Sequence, residues 1–161
     1  MTLYSAISFL TPFLLGHPQL LVGVIVNAAL VASARNLSWH RTLPIIILPS
    51  LGVLSRGLIF GPLTPYLVMM IPAIWLSNAI IVFAFKYLSQ RMNHWVGMTI
   101  SSCIKAAFLF ITAWILVTAT ILPEPFLIAM GPIQLTTALA GGALALFGAG
   151  VVDSILKVTT K

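Results

Sequence analysis

Apolar residues in this chain come in six runs, and short breaks marked by polar residues, proline or glycine separate them. The runs are Leu3–Leu15, Gln19–Ala34, Thr42–Phe60, Leu63–Lys86, Val96–Thr120 and Phe126–Val152. Gly16-His17-Pro18, Gly61-Pro62 and Leu122-Pro123-Glu124-Pro125 punctuate three of the turns. A helix that crosses a bilayer needs roughly 20 mainly apolar residues. The last four runs meet or approach that length, while the first two are short. Pro12 also breaks the first, which is expected to be bent, tilted or partly re-entrant. The pattern predicts an all-α integral membrane bundle of six helices, forming a single domain over residues 1–161. Pro44, Pro49, Pro65 and Pro72 fall on two consecutive helices. A proline inside a membrane helix frees a carbonyl that neighbours or water must satisfy, so these prolines either kink the helices for packing or line a substrate path.

The charges test the count of six. Arg35 and Arg41 flank the second connection, Lys86 and Arg91 the fourth, and Lys157 and Lys161 lie in the C-terminal tail. The connections at 16–18, 61–62 and 121–125 contain neither Lys nor Arg. This alternation is complete only if all six runs cross, and the positive-inside rule then puts both termini on the cytoplasmic side. Trp39, Tyr87 and Trp95 sit in or beside the basic connections, where amphipathic rings anchor at the membrane interface.

Composition narrows the class further. The 161 residues are 60% hydrophobic and 6% charged, with a mean hydropathy of +1.13, whereas a soluble domain has about 25% charged residues. The net charge of +6 does not point to nucleic acid, because no basic stripe with interleaved aromatics is present to track a phosphate backbone. Cys103 is the only cysteine, which excludes an internal disulfide and a paired-cysteine metal site. The N-terminus lacks a positively charged leader, and no cleavable signal peptide is expected. His17, His40 and His94 are dispersed among connections, too far from the two acids to suggest a metal site. There is no carboxylate pair for acid–base work and no glycine-rich phosphate loop. Neither an enzyme nor a bound cofactor is expected.

The polar residues at membrane depth carry the functional signal. Arg56 and Lys105 lie inside apolar runs, yet the only carboxylates, Glu124 and Asp153, fall at helix ends. A charge within the bilayer is costly, normally faces the bundle interior and has a partner. With none supplied by the chain, a ligand is expected to bring the negative charge. At 1.5 Å rise per residue, Asn27 lies about 12 Å from the outer end of the second run, with Gln134 at a similar depth in the sixth; Lys105 lies about 13 Å from the cytoplasmic start of the fifth. Asn78 is deeper toward the cytoplasm, and Arg56 is near the outer Gly61-Pro62 corner. These positions allow Arg56, Asn27 and Gln134 to line a cavity that opens outward, with Lys105 at its floor and Trp75 available to stack on a ligand. Simpler roles stand beside these: Arg56 reaching the outer surface, Asn27, Asn78 and Gln134 as hydrogen-bond links between helices, and Trp75 as core filling.

Small residues form a second set. Ala28 and Ala32 are spaced four apart on the second run, and Gly141, Ala145 and Ala149 form a longer stripe on the sixth. Such faces let helices approach closely, either within the bundle or against another membrane subunit.

Three stretches carry a family likeness: Arg56-Gly-Leu-Ile-Phe-Gly-Pro-Leu-Thr-Pro65 running into Ile71-Pro-Ala-Ile-Trp-Leu-Ser-Asn78, Ala129-Met-Gly-Pro-Ile-Gln134 continued by Thr136-Thr-Ala-Leu-Ala-Gly-Gly142, and Ile104-Lys-Ala-Ala-Phe-Leu-Phe110. Over roughly residues 17–150 the chain resembles the substrate-binding S components of energy-coupling factor transporters, small bacterial and archaeal membrane proteins. The resemblance implies six helices with cytoplasmic termini in the cell membrane of a prokaryote. It also implies high-affinity capture of a vitamin or metal from outside, and release after docking to a transmembrane coupling protein driven by two ATPase subunits. In that family a pair of alanines spaced four apart docks the coupling protein. Ala28 and Ala32 match the pair, although the family carries it on its first helix.

The expectation is therefore a membrane-embedded binding subunit for a small, anionic, vitamin-like molecule, with Arg56 and Lys105 supplying charge and Asn27, Asn78 and Gln134 orienting the ligand. The alternative is a non-catalytic anchor or assembly subunit, whose buried cations would meet acids of a partner chain. A proton pathway is disfavoured by the lack of carboxylates within the runs.

Overall fold

The computed structural model describes residues 1–15, 19–56 and 63–159, with side chains through Val151 except that of Thr64. The turns expected at Gly16-His17-Pro18 and Gly61-Pro62, and the end of the third run, lie outside the described residues. The described chain is helical, with α1 (Thr2–Leu14), α2 (Gln19–Asn36), α3 (Trp39–Arg56), α4 (Thr64–Leu88), α5 (His94–Thr118), α6 (Pro125–Met130) and α7 (Pro132–Thr159). All six expected segments are present. The sixth is divided at Gly131, whose backbone (φ −104°, ψ −97°) leaves the helical region. Pro132 contributes to the break, because it has no N–H to continue the α6 ladder. The four prolines within helices, Pro12, Pro44, Pro49 and Pro72, are accommodated without ending them.

Four segments are long and apolar enough to cross a membrane: Gln19–Asn36, Pro65–Leu88, His94–Thr118 and Pro125–Val151. Helices suit that setting because each satisfies its own backbone hydrogen bonds. Their outward faces carry exposed apolar side chains, among them Val68, Met69, Ile104, Ile111, Trp114, Ile115, Leu144 and Phe147.

The helices close into a ring in which α1 packs on α3, α3 on α4, α4 on α5, α5 on α7, α7 on α2 and α2 on α1. α2 also touches α3 and α4. Two glycines bring α2 and α7 together. A Cβ at Gly141 would lie 2.5 Å from the Val24 carbonyl oxygen and 2.8 Å from Asn27 Cβ, and one at Gly23 would lie 2.8 Å from Thr137 Cγ2. Larger residues at either position would push the helices apart.

Two packed clusters flank the interior. One joins α2, α3, α5 and α7 to the C-terminal half of α4, around Leu30, Val31, Ile45, Ile81, Val82 and Phe85. The other joins α4, α5 and α6 around Leu67, Met70, Leu109, Ala113, Phe126 and Met130. Basic residues gather beyond the first cluster. Lys86 lies 5.0 Å above the Trp39 ring and donates to the Leu37 carbonyl, while Arg91 lies 4.1 Å over Tyr87. Each cation thus rests on an aromatic face, with the apolar part of the pair against the helices.

Candidate functional site

The interior between the clusters is not filled. A partly open cavity of about 120 Å³ remains, and every helical element contributes to its wall. Its polar residues include Lys105, Asn27, Asn78, Gln134 and Thr137.

Lys105 lies near the middle of α5 and is 2% exposed. Its Nζ donates to Asn27 Oδ1 at 2.6 Å and to Asn78 Oδ1 at 2.9 Å. Both carboxamides are themselves held. Asn27 Nδ2 donates to the Gly23 carbonyl at 2.9 Å and to Thr137 Oγ1 at 3.4 Å. Thr137 Oγ1 donates in turn to the Ile133 carbonyl at 2.8 Å. Asn78 Nδ2 donates to the Ile46 carbonyl at 3.1 Å. These outer bonds fix which end of each amide faces the lysine, since an NH₂ group has only donors to offer and an ammonium has no acceptor. Five helices are thereby tied together: α2, α3, α4, α5 and α7.

Two neutral dipoles stabilise a buried ammonium only in part. Of its three hydrogens, two are taken by the asparagines, and among the described residues none accepts the third. The chain's own acids are remote. Along α5 the distance from Lys105 to its end at Thr118 is already about 20 Å, and exposed Glu124 lies beyond that. Asp153 is about 24 Å along α7 from Thr137.

The expected ligand residues thus divide. The structure brings Lys105, Asn27, Asn78 and Gln134 to one cavity. It places Arg56 and Trp75 elsewhere. Arg56 is exposed at the end of α3, where Nη1 donates to the carbonyls of Phe13 at 3.1 Å and of Leu14. A cation is favoured at that position because the last carbonyls of α1 lack helical partners and carry the negative end of its dipole. Trp75 packs against the cluster around Phe85, with its Nε1 buried and without a partner.

Four polar cavity residues went unrecognised in the sequence: Gln19, Ser50, Ser77 and Thr137. Thr137 has a readable signal, standing three residues after Gln134 on the same helical face. Hydroxyls in apolar helices usually bond their own backbone, so nothing in the pattern singled out Ser50.

The small-residue positions also divide. Ala28, Ala32, Ala145 and Ala149 line a groove of about 540 Å³ between α1, α2 and α7. Gly141 sits at the contact between α2 and α7. Among the described residues, no three His, Cys, Asp or Glu side chains converge as metal ligands would. No protein-family model, no curated protein and no solved structure matches this chain.

Proposed function

We propose that this chain is a membrane-embedded, non-catalytic subunit that binds a small anion for uptake. One observation carries the reading: the buried Lys105 Nζ, oriented by Asn27 and Asn78, faces a cavity and has no carboxylate within reach among the described residues. Concave sites with apolar walls and a few convergent polar groups are the usual form of small-molecule sites. The cavity lies toward the end of the bundle where α1 and α3 finish and α2 and α4 begin. The connections there lack Lys and Arg, so the positive-inside rule turns that end outward, and the resemblance to S components supports the cell membrane of a prokaryote.

The placement of Lys105 weighs against the assembly-subunit alternative. At 2% exposure and enclosed within the ring of helices, it is out of reach of an acid on a helix docked from the lipid side. The groove lined by Ala28, Ala32, Ala145 and Ala149 suits contact with another membrane protein, since small side chains let a partner helix come close. In the proposed cycle the cavity holds the anion, and the groove docks a transmembrane coupling protein worked by ATPase subunits.

The test is native mass spectrometry of the protein extracted with its endogenous ligand, for wild type and Lys105→Met. A small anion retained by the wild type and absent from the variant supports the reading. Equal retention by both would remove it.

A further inference from the structure

Resting on the reading of the cavity as an anion site, we propose that its occupant is an aliphatic monocarboxylate bearing one further uncharged oxygen group, a hydroxyl or a ketone, and that Ser50 binds this second group.

The lining fixes the charge and the body of the ligand. Among the described residues that line the cavity, Lys105 is the single cation and none is acidic, so one negative charge is matched and a second would be buried unpaired. Among the described residues that line it there is no Phe, Tyr, Trp or His, and these offer no ring for stacking. The walls are branched aliphatic, with Val22, Val26, Val53, Ile71, Ile74 and Ile133. They suit a compact saturated chain.

Ser50 supplies the second contact. It is 6% exposed and lines the cavity, and its Oγ has no hydrogen-bond partner. Other buried hydroxyls are spent on their own helices: Ser33 on the Leu30 carbonyl, Ser77 on Ile74, Ser101 on Gly97 and Thr137 on Ile133. Ser5 and Ser8 share the lack of a partner, but neither lines the cavity. A buried hydroxyl left unpaired is unfavourable, and a ligand oxygen would relieve it. The Ile46 carbonyl anchors Asn78, which holds Lys105, and Ser50 stands one turn further along the same face of α3.

Titration calorimetry in lipid nanodiscs tests this with valerate, β-hydroxyvalerate, levulinate, valeramide and benzoate on wild type, Ser50→Ala and Lys105→Met. In wild type, the tighter of β-hydroxyvalerate and levulinate should bind about tenfold or more tightly than valerate, and valeramide and benzoate should bind more weakly than valerate. Ser50→Ala should bring the oxygenated acids close to valerate and leave valerate itself unchanged. Equal binding of valerate and both oxygenated acids by wild type overturns the proposal without recourse to any variant. So does benzoate binding most tightly, or Ser50→Ala weakening every acid alike. If Lys105→Met still abolishes binding in those cases, the anion site survives and only the ligand class fails. Should no acid bind wild type at all, both readings fall.

Discussion

The cavity at Lys105 and the groove at Ala28 share three helices, α1, α2 and α7, and differ in almost everything else. On α2 the cavity takes Gly23 and Asn27 while the groove takes Ala28 and Ala32, and on α7 the cavity takes Gln134 and Thr137 while the groove takes Ala145 and Ala149. The wall between them is the close contact at Gly23 and Gly141. The cavity is held open by a polar network that ties five helices together. The groove exists because its side chains are too short to fill it. A hollow built by hydrogen bonds has a chemical preference, whereas one built by missing side chains has only a shape. This contrast supports giving ligand recognition to the first and helix docking to the second.

Breaking the shared wall should have the largest effect. Gly141→Val places atoms against the Val24 carbonyl and the Asn27 side chain, so α7 must move off α2. We expect a loss of about 3 kcal/mol or more, read as a lower melting temperature, together with loss of ligand binding because Asn27 moves with the contact. Removing the charge should separate the two hollows: Lys105→Met weakens anion binding by about a hundredfold, equivalent to roughly 2.7 kcal/mol, without weakening partner association. Filling the groove should do the converse. Ala32→Leu reduces co-purification of a coupling partner by about tenfold and leaves anion affinity within about twofold of wild type. The smallest effect is expected at Gly148, which lines the groove and where an added Cβ meets nothing within 4 Å. Gly148→Ala should be neutral or raise stability by up to about 1 kcal/mol through helix propensity.

The segments were legible in the sequence because apolar run length and proline position are local properties. Each expected helix is present, and observed ends differ from the expected ones by a few residues. The break at Gly131 was less visible, since apolar character continues through it from Phe126; the Gly131-Pro132 pair was its signal. In the site, Lys105, Asn27, Asn78 and Gln134 stood out as polar residues at depth, and the fold gathers them. Arg56 has the same chemical signature, but its partners are backbone carbonyls at the end of α1, and backbone carbonyls have no residue signature. Ser50 was hidden for the opposite reason: serines are common in apolar helices, and only the fold shows which of those without a backbone bond faces the cavity.

Asn78→Asp tests most directly whether Lys105 awaits an outside anion. It keeps the size of the side chain and sets a carboxylate where an amide oxygen now lies 2.9 Å from Nζ. Calorimetry of valerate or the endogenous anion should then show affinity reduced by about tenfold or more, because the lysine has gained a partner of its own, while loss of the donor bond to the Ile46 carbonyl lowers the melting temperature. Unchanged affinity in a folded Asn78→Asp protein would mean that the ammonium does not hold the ligand.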